Sequence, residues 1–226
     1  MILTYLGQSC FHLQTGDYSL LFDPMIKGNP LASEVSIEEI RCDYILLSHG
    51  HGDHSGDVED IARRCGAVVV SCFETVAWFE KKGIKGHSMN IGGKWQFPFG
   101  VVKQVSAVHS SELPDGTYAG QASGFVLWND EGCIYFAGDT ALTLDMQLIP
   151  MTCPPLDAAI LPMGDNYTMG CDDALLAASF VKCNHIIGCH FDTFENIRLD
   201  HHRAKAIFKN DGRELILPAV GQKIEI

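Results

Sequence analysis

The chain has 226 residues, of which 46% are hydrophobic and 19% charged, enough apolar content for a sizeable core and too much for a disordered protein. Its formal net charge is −12 and no Lys/Arg cluster exceeds a pair, which argues against a broad nucleic-acid footprint. No apolar run is long enough to cross a bilayer, and the first residues lack the basic region and cleavage site of a secretory signal, so a cytoplasmic address without membrane attachment is expected. The 9 cysteines have scattered spacing and no C-x-x-C pair, which reads as buried free thiols in a reducing compartment.

The N-terminal region predicts strands over "LTYLG" (3–7), "CFHLQT" (10–15) and, after a turn at Gly16-Asp17, "YSLLFD" (18–23). "SIEEIRC" (36–42) predicts a short helix, with Ser36 and Glu39 at capping-box spacing. "DYILLS" (43–48) is nearly continuous in apolar residues, as expected for a strand covered on both faces. "DVEDIARRCG" (57–66) predicts a helix with Asp57 as N-cap, acids in the first turn, arginines in the last and Gly66 as terminator. "AVVVS" (67–71) and "ETVAWFEKKG" (74–83) continue the strand–helix alternation. A strand-rich middle runs from "WQFPFG" (95–100) to "GCIYFAGD" (132–139), with a hairpin turn at "NDEG" (129–132). "LDAAILPMG" (156–164) opens a second alternating half. It continues through a helix at 172–182, a strand at 185–190, a helix at 200–209 and closing strands near 214–218 and 222–226. The pattern predicts a layered α/β sandwich.

Polar residues stand at the ends of these strands. Apolar segments run into His49, His109, Asp139 and His190, and ligand sites in α/β sheets gather at that edge; if the strands lie side by side, the four converge. "SHGHGDH" (48–54) adds His51, Asp53 and His54, with glycines that disfavour helix and suit a tight loop. Imidazole suits Zn, Mn and Fe, and a carboxylate can bridge two cations. His49, His51 and His109 form one candidate set and Asp53, His54 and His190 another, with Asp139 between them. Two cations roughly 3.5–4 Å apart can share a water and lower its pKa, which is a hydrolytic device. His12, His87, His201 and His202 lack partners at ligand spacing and read as solvated side chains, and His185 as structural.

In order, "SHGHGDH", His109, "GDT" (138–140) and His190 resemble the metallo-β-lactamase fold superfamily. "FDPMIKGNPLAS", "MNIGG", "HSS", "GDTALTLDMQLI", "LPMGDNYTMGCDDALLAA" and "HFDTF" are similar to metal-dependent hydrolases related to L-ascorbate-6-phosphate lactonase. The resemblance implies one αβ/βα four-layer sandwich domain over residues 1–226, a dinuclear centre at its edge and hydrolysis activated by two divalent ions, Zn or Mn. It implies that the seven residues named above are the ligands. Asp53 would also orient the attacking hydroxide and act in proton transfer. Asp23 would support or wall the site, and Asp165 and Asn166 in "GDNYTMG" would line the substrate pocket, although that segment also reads as a polar turn before a helix. The chain departs from the resemblance at "GQS", where Gln8 replaces a histidine, and at Phe191 and Asp192.

The expected activity is hydrolysis of a small, anionic ester, lactone or phosphoester, in a protein able to form a homo-oligomer. The alternatives are a nuclease or phosphodiesterase, a di-iron redox protein, and a metal-binding protein without catalysis. The first would need a basic groove, and the second commonly exchanges a histidine of the cluster for a carboxylate.

Overall fold

In the computed structural model, which describes residues 1–226, two seven-stranded sheets face each other. The first contains β1 (Ile2–Gly7), β2 (Cys10–Thr15), β3 (Tyr18–Phe22), β4 (Tyr44–Leu46), β5 (Val68–Cys72), β6 (Gly86–Met89) and β14 (Lys223–Glu225), ordered β14-β1-β2-β3-β4-β5-β6. The second contains β7 (Lys94–Phe97), β8 (Gly100–Ser106), β9 (Ser123–Asn129), β10 (Gly132–Phe136), β11 (Ala158–Pro162), β12 (His185–Cys189) and β13 (Glu214–Ile216), ordered β13-β12-β11-β10-β9-β8-β7. Helices α2 (Val58–Cys65) and α3 (Phe73–Lys81) cover the first sheet, and α4 (Ile149–Thr152), α5 (Cys171–Phe180) and α6 (His201–Asn210) cover the second. The result is a four-layer α/β sandwich. No helix is long and apolar enough to cross a membrane.

The continuous apolar strands follow from these layers, because successive side chains leave a strand on opposite faces. Leu20 and Phe22 of β3 enter the core between the sheets, while Leu21 faces the helices. Ile134 and Phe136 of β10 likewise enter the central core, and Cys133 and Tyr135 pack under the helices of the second sheet. Phe136 lies fully buried against Phe11 and Phe22 of the opposite sheet. Truncating it to alanine would cost about 3–5 kcal/mol.

Strand direction brings the site together. Two antiparallel pairings make β1 run with β3, and parallel pairings extend that direction to β4. In the second sheet β8 runs with β10 through the antiparallel β9, and β10, β11 and β12 are parallel. Contacts such as Ser123 N–H to Ser48 O (3.1 Å) and His190 N–H to Gln8 O (2.8 Å) place these strand ends at one edge. The ligand-bearing strands are therefore not side by side: β4 belongs to one sheet, while β8, β10 and β12 are separated by β9 and β11 in the other.

Local expectations also change. Residues 36–42 form only a 3-10 turn at Ile37–Glu39, and the Ser36 side chain makes no cap. Asp57 stands at the N-cap position of α2, but its Oδ2 accepts instead from Ile26 N–H (2.6 Å) and Lys27 N–H (2.9 Å). The histidine-rich loop closes as a single helical turn, α1 (Gly52–Ser55), because His51 O accepts from both His54 and Ser55 N–H. Gly50 is required by packing: a Cβ there would lie 2.5 Å from Ala119 Cβ and 2.8 Å from Glu112 O. The Leu144–Leu148 3-10 turn and α4 have no counterpart among the predicted elements.

Candidate metal centre

Each side chain of the centre sits just beyond a strand end. Gln8 follows β1, Asp23 follows β3, the His49–His54 loop follows β4, His109 follows β8, Asp139 follows β10 and His190 follows β12. The chain turns abruptly at several of these points. Gln8, Asp23 and His190 have φ of 53°, 41° and 54°, the left-handed region that non-glycine residues enter only when their surroundings impose it.

His49, His51 and His109 form one cluster whose ring nitrogens lie within 4.8 Å of one another. His49 is buried and the other two are half-buried. The Ser48 hydroxyl donates to Asp23 Oδ2 (2.5 Å), so its oxygen is left to accept from His49 Nδ1 (2.9 Å). That fixes the proton on Nδ1 and leaves His49 Nε2 unprotonated, 3.0 Å from His51 Nδ1. On its other side, His51 Nε2 lies 3.4 Å from Ser110 Oγ.

Asp53, His54, Asp139 and His190 form a second, mixed cluster. His54 donates from Nδ1 to Asp23 Oδ2 (2.8 Å), which turns its Nε2 toward Asp139 Oδ2 (3.2 Å) and Asp53 Oδ2 (3.4 Å). His190 Nε2 approaches the same two oxygens, at 3.0 Å and 3.5 Å. Asp139 Oδ2 also lies 3.7 Å from His109 Nε2, so it stands between the two clusters. Gln8 donates from Nε2 to Asp53 Oδ2 (2.9 Å).

The donor set fits divalent cations. His54 Nε2 and Asp139 Oδ1 are buried without a hydrogen-bond partner, a costly arrangement that a cation would relieve. Electrostatics agree. Burial disfavours the charged form of His190, yet Asp139 and Asp53 outweigh it and push the pKa up to about 9. His54 is raised well above the ordinary histidine value by the same balance, its burial overcome by Asp139 and Asp53. Burial also opposes ionisation of Asp139, but the charges of His54 and His190 hold it well below the usual carboxylate range. His49 moves the other way, because burial and then His54 keep it neutral.

The remaining expected residues fall elsewhere. Asp23 is fully buried behind Ser48 and His54, where it supports the site and cannot form a wall against substrate. Asp165 and Asn166 are exposed on the turn between Gly164 and Gly170, with φ of 59° and 54°. Their hydrogen bonds are internal to that turn, and none reaches the seven clustered residues. The turn does touch the segment after β12, since Asn196 Nδ2 lies 3.4 Å from Tyr167 Oη. His12 faces away, with Nε2 3.1 Å from Arg41 O. Phe191 is buried, and Asp192 accepts from Leu199 N–H and lies 2.6 Å from His201 Nε2. Ser48 was not anticipated as part of the site. Its signal is a hydroxyl directly beside His49 at the end of an apolar strand.

The pattern of the Beta-lactamase superfamily domain matches residues 2–190. A UPF0173 metal-dependent hydrolase of Christiangramia forsetii is 50% identical over 227 residues, covering 100% of both chains. A second, from Flavobacterium johnsoniae, is 47% identical, again over 100% of both. Among solved structures, Igni18, a metallo hydrolase from Ignicoccus hospitalis, is 31% identical with a TM-score of 0.89, covering 99% of this chain and 97% of that one. The chain therefore belongs to the UPF0173 metal-dependent hydrolases, within the β-lactamase superfamily.

Proposed function

We propose that the protein hydrolyses a small, uncharged ester or lactone at a dinuclear centre that His49, His51 and His109 would hold on one side and Asp53, His54 and His190 on the other, with Asp139 between them. The observation that carries this reading is Asp139 Oδ2, which lies within 3.7 Å of imidazole nitrogens from both clusters. When bound, two Zn or Mn ions would supply the charge that brings a water's pKa toward neutrality and polarises the scissile carbonyl. Asp23 and Ser48 accept from Nδ1 of His54 and His49, so Nε2 is the ring nitrogen each histidine turns toward the centre. Asp53 is the most exposed residue of the mixed cluster, with a side chain at 30%, and its Oδ1 carries no hydrogen bond. It is the atom suited to take a proton from the attacking water.

Charge on the loops of the second sheet favours an uncharged substrate over the anionic one expected from the sequence. The loops beyond β8, β10, β11 and β12 carry Glu112, Asp115, Asp145, Asp165, Asp192, Glu195 and Asp200 against Arg198 alone. A phosphodiester or polynucleotide would bring its charge past these carboxylates without basic partners. Exposed Val108, Tyr118, Tyr167 and Phe194 on the same loops offer apolar contact.

The test is a screen of metal-free protein, reconstituted with Zn or Mn, against neutral esters and lactones, phosphodiesters and β-lactams. Two metals per chain and highest kcat/KM on neutral esters or lactones are expected. One metal per chain would end the dinuclear reading, and fastest turnover of a phosphodiester would end the substrate assignment.

A further inference from the structure

The loop joining β1 to β2 is unusual. Connections normally run over the surface, yet Gln8 and Ser9 are both fully buried beneath the metal cluster. Gln8 carries two unfavourable features. Its φ is 53°, and its Oε1 is a buried acceptor with no donor. Neither is explained by a need to stabilise the fold. Two other polar atoms of Gln8 face the mixed cluster or its supports: Nε2 donates to Asp53 Oδ2 at 2.9 Å, and the main-chain oxygen accepts from His190 N–H at 2.8 Å and from Tyr5 Oη at 3.2 Å.

We propose that Gln8 is the positioning residue of the mixed cluster: its carboxamide fixes the carboxylate of Asp53, while its carbonyl fixes the backbone of His190. The inference rests on the reading of Asp53 as a metal ligand. Asp53 needs such a restraint because it lies on a single helical turn and has the most exposed side chain of its cluster, whereas Asp139 and His190 are held by burial. A carboxamide suits the task because it donates a hydrogen bond while remaining uncharged at every accessible pH. It orients the carboxylate without competing as a cation for the metal's place. The geometry also separates the functions of backbone and side chain. Substitution removes the Nε2 bond but retains the carbonyl, so His190 stays anchored while Asp53 is released.

The experiment is calorimetric titration of metal-free protein with Zn, and separately with Co, whose visible spectrum reports ligand geometry. The proteins are wild type, Gln8→Met, Gln8→Gly, Gln8→His and Asp53→Ala. Methionine matches the length of glutamine but has no donor. Glycine also has no donor and accepts the positive φ without strain, so it preserves the fold if the methionine variant does not. Both are expected to weaken one of the two metals by about 10–100-fold and leave the other unchanged, with an altered Co spectrum. Gln8→His, which restores an N–H, is expected to recover much of the loss. Wild-type affinities in Gln8→Met and Gln8→Gly, alongside loss of one metal in Asp53→Ala, would overturn the role of Gln8 alone. Equal weakening of both metals with a lowered melting temperature would also overturn it, as a purely structural effect. Retention of both metals by Asp53→Ala would instead remove the ligand reading on which the proposal stands.

Discussion

The two clusters are supported differently. The histidine cluster (His49, His51, His109) offers only nitrogen, and the groups behind it are hydroxyls: Ser48 beneath His49 and Ser110 beside His51. The mixed cluster (Asp53, His54, Asp139, His190) is more deeply buried, and the groups behind it are the Asp23 carboxylate and the Gln8 carboxamide. The difference is one of charge. Buried carboxylates must be neutralised even before a cation arrives, so His54 and His190 hold protons for Asp53 and Asp139. His49, by contrast, is kept neutral. One cluster is ready to bind a cation directly, while the other must exchange protons for it.

Asp139→Ala gives the largest expected effect, because Oδ2 of this residue faces imidazoles of both clusters. Turnover should fall on the order of a thousandfold or more, with loss of metal at both positions by elemental analysis. Loss of one metal alone would assign Asp139 to one cluster and break the bridging picture. Asp23→Ala comes next. Asp23 Oδ2 accepts from both the Ser48 hydroxyl and His54 Nδ1, so it is the one support common to the two clusters. Affinity at both positions should drop about 10–100-fold. Stability should also fall, by about 1–3 kcal/mol for each buried donor left unpaired, as measured by denaturant unfolding. An effect confined to one metal would show that Ser48 orients His49 without help from Asp23.

Much of this site is legible in the sequence because it depends on local pattern. Apolar runs ending at His49, His109, Asp139 and His190 mark strand ends, and the structure brings all seven expected residues together. What depends on distant backbone is not legible. Asp57 has the sequence position of a helix cap, yet its carboxylate serves amides 31 and 30 residues away, at Ile26 and Lys27. Gln8 stands out in the sequence only as a departure, because its meaning requires knowing that β1 runs parallel to β4 in the same sheet. The α1 turn overrides the low helix propensity of Gly52, since His51 O has two donors waiting in Ser55 and His54. The division of the ligand-bearing strands between two sheets is likewise invisible to a pattern that marks strand ends but not strand neighbours.

The smallest expected effect is one of pH, and it separates the clusters directly. With no cation bound, His190 has a pKa of about 9, above the roughly 6.5 of an unfolded histidine. A raised histidine pKa contributes stability that is fully present below about 6.5 and is lost as pH climbs through 9. Thermal unfolding of the chelated protein should therefore show a melting temperature that declines across this window. Metal binding at the mixed cluster should strengthen over the same window, since fewer protons remain to be displaced, by about tenfold per pH unit for each proton released. His49 and His109 have pKa values lowered by burial, so these two ligands should release almost no proton to a cation above pH 6.5. Calorimetry in buffers of different ionisation enthalpy counts the protons released with each metal. Equal release for the two would remove the charge distinction between the clusters.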